Sequence, residues 1–281
     1  MGTYREDELH RLWEREIAIY REISGICGCH GLQYYMGYGS ALGAVRHKGF
    51  IPWDDDIDVC MPRKDYEAFL QYAEEELADE FEILGIGYTK GYVLPFGKIA
   101  EKKSTFVEET DTNRKYHSGI FVDIFPLDAA APGKKEDKKQ RQSCWRWGRA
   151  CVLAEYGEVK LPEGMNPLIA AAARAACRMI HGGMRLAGLG TEKCYARFLK
   201  AARKYETEKP ETYTQLVNVF LKPEYHPAEK LFPAQKAEFE GMTVPIPADP
   251  DRYLTQIYGD YMQIPPAEKR HNHYPAILKF D

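Results

Sequence analysis

The sequence holds no apolar run approaching the ~18 residues that a membrane-spanning helix requires. Its first residues, MGTYREDELHRLWERE, are charged and lack the apolar core of a secretory signal, so a cytoplasmic location is expected. The seven cysteines are odd in number and scattered, which excludes a disulfide framework and fits reduced thiols. Cys27-Gly28-Cys29-His30 has no partner cysteine pair at zinc-ribbon spacing, so no structural zinc is expected. There is no basic excess: the net charge is −4, which argues against a dedicated nucleic-acid binder. No internal repeat is visible.

What remains is the composition of a globular protein of 281 residues, 44% apolar and 28% charged. Leu9, Trp13, Ile17, Tyr20 and Ile23 recur at helical spacing over 4–27. LQYYM (32–36) reads as a strand, GYGS (37–40) as a glycine-rich turn and SALGAVRHK (40–48) as a short helix. IDVCM (57–61) reads as a strand that Pro62 stops, followed by an amphipathic helix over 63–79. A strand series is expected from FEILGIGY, YVLPFGKIA and STFVEE to SGIFVDIFPL (118–127). KKEDKKQRQ (134–142) reads as a solvated charge run, 143–205 as helical, 239–247 as strand and turn, and 250–262 as a short helix with a polar tail. The expected organisation is a catalytic core over 1–131, a basic helical insertion over 132–238, and a segment over 239–281 that returns to the core. Charge follows this division. Residues 134–204 hold sixteen Lys and Arg against six Asp and Glu, a net of +10, which leaves −14 for the rest. Two solvated surfaces would explain it. So would an acidic metal-binding core beside a basic face for an anionic acceptor or membrane headgroups.

IPWDDDIDVCMPR (51–63) places four carboxylates within five positions: Asp54, Asp55, Asp56 and Asp58. On a strand, residues i and i+2 share a face, which sets Asp56 and Asp58 roughly 6–7 Å apart, with Ile57 and Val59 turned to the core. Adjacent half-buried carboxylates must gain protons, find a basic partner or share a cation. Mg²⁺, or Mn²⁺, suits oxygen ligands of this kind. A solvated turn after Pro52-Trp53 accounts for Asp54 or Asp55, but not for Asp58 inside an apolar run.

Asp123 interrupts the apolar strand GIFVDIFPL. An ionised carboxylate there needs either an internal partner, such as Lys98 or Arg46, or a shared cation facing the Asp56/Asp58 pair. Upstream, Gly39-Ser40 opens a short helix whose N–H groups could receive a phosphate. Ser40 could cap that helix or bond a phosphate oxygen. Arg46, Lys48 and Lys98 are cations for further phosphates.

GSALGAVRHKGFIPWDDDIDVCMPRKDYEAF closely resembles the signature of the LicD family, which includes the fukutin-related proteins. GIFVDIFPLD and YGDYMQIPPAEKRHNH look like later blocks of that family. The resemblance covers roughly 30–128 and 239–275. It implies an α+β fold of nucleotidyltransferase type, a mixed β-sheet flanked by helices, with an inserted helical subdomain. It also implies metal roles for Asp56 and Asp58, a third acid at Asp123, and a metal or supporting role for Asp54. Phosphate contacts are then expected from Gly39, Ser40, Arg46, Lys48 and Lys98. Tyr258, Asp260, His271 and His273 could close over the nucleotide.

The implied reaction is Mg²⁺-dependent transfer of a phosphorylated alcohol, phosphocholine first among them, from a CDP-activated donor to a glycan or lipid-linked glycan, releasing CMP. Lipopolysaccharide and teichoic acid are acceptors of the expected class. A choline donor would call for an aromatic cage, for which Trp53, Tyr34, Tyr35, Tyr38 and Tyr116 are available. Two other readings stay open. One is a metal-dependent glycosyltransferase that uses Asp-x-Asp on a nucleotide-sugar. The other is a non-catalytic metal- or glycan-binding protein. Arg174, Arg178 and Arg185 recur at helical intervals in the basic segment, so peripheral contact with the inner face of a membrane is a further expectation.

Overall fold

A computed structural model describes residues 3–108, 114–157, 161, 164–217 and 223–281. The strand expected over 104–109 and the helical pattern of 143–205 both include positions outside this set, namely 109, 158–160 and 162–163. In chain order the helices are α1 (Glu6–His30), α2 (Tyr38–Arg46), α3 (Arg63–Glu76), α4 (Lys134–Tyr156), α5 (Pro167–Leu186), α6 (Thr191–Ala202), α7 (Ala228–Leu231) and α8 (Pro250–Tyr258). The strands are β1 (Tyr35–Met36), β2 (Asp58–Pro62), β3 (Phe81–Leu84), β4 (Gly97–Glu101), β5 (Thr105–Val107), β6 (Phe121–Ala129), β7 (Thr212–Thr214), β8 (Tyr225–Pro227), β9 (Gln235–Phe239), β10 (Met242–Ile246) and β11 (Ile277–Lys279).

The fold is α+β, built on a mixed sheet. Its order is β1-β2-β6-β4-β3, with β7 added on β6 and β8 on β7. β2 and β6 run parallel, and the other pairings are antiparallel. β6 is the spine because it is the most apolar strand: Phe121, Val122, Ile124 and Leu127 are buried. Asp123 is the exception in that run. The register sets it directly beside Asp58 on one side and Lys98 on the other.

α1 forms for the reason its periodicity gives. Leu9, Leu12, Ile19, Tyr20 and Ile23 are buried along one face and pack on the sheet. Acids occupy its first turn, complementing the helix dipole, and Gly31 ends it with a φ of 64°. β5 lies apart from the main sheet and pairs with β11, which carries the polar tail back to the core. β9 and β10 form a hairpin turned by Glu240 and Gly241, both at positive φ.

Two local expectations are corrected. The helical pattern expected from 143 begins earlier: the solvated charge run at 134–142 is the opening of α4, with Gly133 at its N-cap and Glu136 and Asp137 in the first turn. Its charges lie outward, while Gln140 and Cys144 are buried against α6 and its surroundings. GYGS is not a turn ahead of a helix that starts at Ser40: α2 starts at Tyr38 behind an N-cap at Gly37, so Gly39 and Ser40 lie inside its first turn. β7 and β8 are three residues each, too short for a period-2 pattern to declare them. Among the described residues no helix is long and apolar enough to cross a membrane.

Candidate active site

Where β2 begins, the chain leaves an irregular stretch over 51–57 that follows α2. Two contacts fix it from behind. The Trp13 indole N–H donates to the Asp54 carbonyl at 2.9 Å, and the Tyr4 hydroxyl donates to Asp55 Oδ2 at 2.6 Å. A third holds it in front. The Ser40 hydroxyl accepts the Asp58 backbone N–H at 2.8 Å, and the Gly37 N–H donates to the Asp58 carbonyl. The side chain of Ser40 is therefore engaged with β2 and is buried; it does not cap α2. Gly39 is needed for the approach of the two segments, since a Cβ there would stand 2.5 Å from Asp54 Oδ2.

The result is a cleft of about 410 Å³, within the range of small-molecule sites. Asp54, Asp56 and Asp58 line one wall with Gly39 and Arg46. The opposite wall is the C-terminal segment, with Tyr258, Asp260, Lys269, His271 and His273. Arg46 is held in place by donating to the Tyr261 carbonyl at 2.6 Å. The Arg270 guanidinium lies 4.3 Å from the centre of the Trp53 ring, so one cation already stacks on the cleft's indole.

The acids experience each other. Burial, and after it the charge of Asp56, holds the Asp54 and Asp58 carboxyls well above the usual range. Burial also raises Asp123, and Lys98 partly offsets the rise. The Lys98 ammonium stands 2.8 Å from Asp123 Oδ1 and 3.3 Å from the centre of the Phe121 ring. Lys98 is thus the internal partner of the strand acid. His273 answers Asp56 from the facing wall. Its Nδ1 is 3.5 Å from Asp55 Oδ1 and 3.2 Å from Asp56 Oδ2, and Asp55 first and then Asp56 push the imidazole pKa up to about 12.

Of the residues singled out in the sequence, the cleft brings together Gly39, Arg46, Asp54, Asp56, Asp58, Tyr258, Asp260, His271 and His273. Ser40, Lys98 and Asp123 lie behind that lining and are tied to it through β2 and β6. Lys48 is outside the cleft, at a φ of 59°, and pairs with Glu238 on β9. Of the aromatic set proposed for a cage, Tyr38 and Trp53 line the cleft, whereas Tyr35 is buried in the core.

The donor chemistry suits a hard divalent cation, because carboxylate oxygens predominate and their repulsion calls for a counter-charge. Among the described residues, however, no group of three or more His, Cys, Asp and Glu side chains is drawn together closely enough to hold a metal ion. The fit therefore rests on donor type and charge rather than on a closed set of ligands.

Sequence reasoning did not assign Asp55, Tyr4 or Glu16. Asp55 is buried and turned away from the cleft; it accepts from Tyr4 and from the His273 backbone N–H, at 2.8 and 3.0 Å to its two oxygens. Its place between two cleft-facing acids was a readable signal, since neighbours in an extended chain face opposite ways. Glu16, one turn along α1 from Trp13, is buried, and burial followed by the charge of Asp56 raises its pKa. No local pattern links Tyr4 or Glu16 to the acid run.

Residues 31–150 match the family described as LicD/FKTN/FKRP, nucleotidyltransferase domain. The chain is also 27% identical over 271 residues to lipopolysaccharide cholinephosphotransferase LicD of Haemophilus influenzae, covering 89% of each chain. Over a shorter stretch of 45 residues it is 44% identical to ribitol 5-phosphate transferase FKRP of Homo sapiens, covering 16% of this chain and 9% of that protein.

Proposed function

We propose that this chain, which matches the LicD/FKTN/FKRP nucleotidyltransferase domain over residues 31–150, transfers a phosphorylated alcohol from a CDP-activated donor to a glycan hydroxyl, releasing CMP. The observation that carries this reading is the placement of Asp58 beside Asp123 on parallel strands, with Asp54 and Asp56 on the same cleft wall. Phosphoryl transfer needs positioned charge more than covalent chemistry. A cleft with acids and Arg46 on one wall and Lys269, His271 and His273 on the other offers both signs.

In this reading Asp56 and Asp58 hold a divalent cation, Mg²⁺ or Mn²⁺, with Asp54 beside them. When bound, that ion neutralises phosphate charge. Arg46 and Lys269 take up the remaining negative charge of the donor's diphosphate. The acceptor hydroxyl attacks the phosphorus of the phosphoalcohol; the bond from that phosphorus to the bridging oxygen breaks, and CMP departs with the electron pair. The hydroxyl proton goes to Asp123, the strand acid set directly beside Asp58. Lys98 orients that carboxylate. Phosphocholine is the first alcohol to test, with Trp53 as the aromatic face for a quaternary ammonium.

The test is CMP release from a panel of CDP-alcohols with a glycan acceptor, with and without Mg²⁺, using Asp56→Asn as control. Release from one donor that requires the ion and disappears in a folded Asp56→Asn supports the reading. Wild-type turnover by that folded variant, or turnover of UDP-sugars in place of CDP-alcohols, overturns it.

A further inference from the structure

α5 differs from every other long helix of the chain in what it leaves exposed. Among the described residues, five of the eleven exposed large apolar side chains belong to it: Leu168, Ile169, Met179, Ile180 and Leu186. Leu168, Met179 and Leu186 are 81%, 72% and 93% exposed. Their spacings of eleven and seven residues place them on one line along the helix. Among the described residues, the packing falls on the opposite side. Ala170 is buried, and His181 meets the Leu153 carbonyl of α4 through Nδ1 at 2.7 Å. Exposed apolar side chains scattered singly need no explanation, but a contiguous stripe does.

The charge on this helix is equally one-sided. PLIAAAARAACRMIHGGMRL contains Arg174, Arg178 and Arg185 and no Asp or Glu. The three arginines are exposed and stand four and seven residues apart. They form a second stripe about 100° around the helix from Leu168, Met179 and Leu186, because Arg178 and Arg185 immediately precede Met179 and Leu186. Long cationic side chains beside an apolar line can reach outward while their stems remain in apolar surroundings.

We propose that α5 docks on an anionic lipid surface, lying in the plane of the interface. Leu168, Met179 and Leu186 enter the boundary between headgroups and acyl chains, and Arg174, Arg178 and Arg185 meet the anionic headgroups. A helix of 20 residues presents about 30 Å of such a face. Apolar burial and headgroup attraction are the two components of interfacial helix binding, and α5 carries both on adjacent stripes. A second copy of this chain is the weaker occupant, since two identical arginine stripes would face each other. The inference is independent of the proposed phosphotransfer, because lipid docking is measured without turnover.

The test is co-sedimentation of the full chain with phosphatidylcholine vesicles and with vesicles that also contain phosphatidylglycerol, at low and at physiological ionic strength. The wild type is expected to pellet with the anionic vesicles and less so as salt rises. Each arginine contributes about fivefold to partitioning, so Arg174→Ser/Arg178→Ser/Arg185→Ser should weaken it by about 100-fold. Leu168→Ser/Met179→Ser/Leu186→Ser should abolish it in a chain with unchanged circular dichroism. Absence of wild-type binding to the anionic vesicles at low salt overturns the proposal. So does undiminished binding by either triple variant, or a lipid-free wild-type dimer that the apolar triple variant splits into monomers.

Discussion

Asp128→Asn should destabilise the chain more than almost any other polar substitution, and the reason is its partner. Asp128 is the penultimate residue of β6, and Arg63 begins α3 immediately after β2. The two form a bidentate pair, Nε to Oδ1 at 2.8 Å and Nη2 to Oδ2 at 2.9 Å, with side chains only 3% and 1% exposed. Burial alone would lower the Arg63 pKa, but the Asp128 charge overrides it and keeps the guanidinium ionised. Asparagine keeps the shape and removes the charge, leaving a buried cation unpaired at a cost of about 3–5 kcal/mol. For a chain of this size each kcal/mol moves the midpoint by roughly 2–4 °C, so a loss of roughly 6–20 °C is expected in a thermal melt. Arg63→Met/Asp128→Leu removes both charges together and should recover most of that loss. The pair also bridges the ends of the strands that carry Asp58 and Asp123, so the single variant should lose turnover at temperatures where its far-ultraviolet spectrum is still native. A melting point for Asp128→Asn within ~2 °C of wild type, or a double variant no more stable than the single, would refute the argument.

Gly39→Ala puts a methyl group where Asp54 Oδ2 stands; turnover should fall at least tenfold, with an unchanged urea midpoint, and unaltered kinetics would remove Asp54 from the cleft geometry. Asp55→Leu deletes the acceptor shared by Tyr4 and His273; amide exchange at 270–276 should accelerate, whereas protection equal to wild type would mean that the segment is held elsewhere. Asp249 caps α8, and its pKa is lowered by the Arg252 N–H and by Lys230. Its contribution is therefore fully present above about pH 3.9, the unfolded value, and fades as pH falls through the lower folded value. Asp249→Ala should cost about 1 kcal/mol in urea melts at neutral pH, with the gap to wild type closing in strong acid; a gap that widens on acidification would reverse the sign.

The core of the fold was legible because its strands are strongly apolar and its helices strongly periodic. β2, α3 and β6 stand within a few residues of their expected positions, and the register that puts Asp58 beside Asp123 agrees with the expectation of acids on neighbouring strands. Less legible were features whose cause lies far along the chain. Ser40 reads as a cap or a phosphate contact when only its neighbours are considered, but β2 arrives eighteen residues later and takes its hydroxyl. Lys48 reads as a phosphate contact close to Arg46, but the chain turns at positive φ and sends it toward β9. β7 and β8 exist because β6 offers a free edge beyond Leu127, not because three residues specify a strand.

The acid run itself shows both kinds of specification at once. Its four carboxylates do not share one task. Asp54, Asp56 and Asp58 face the cleft, and Asp55 faces the interior. An inward acid between outward ones would be costly without donors, since a buried carboxylate requires hydrogen bonds. Those donors come from opposite ends of the chain: the Tyr4 hydroxyl, and the His273 backbone N–H. Tyr4 and Tyr274 also meet ring to ring, with centroids 4.7 Å apart. The consequence reaches the cleft, because fixing the His273 backbone on Asp55 is what carries its imidazole to Asp56. Alternation in an extended segment thus separates two functions between adjacent residues, one set lining the cleft and one residue holding closed the segment that forms its far wall.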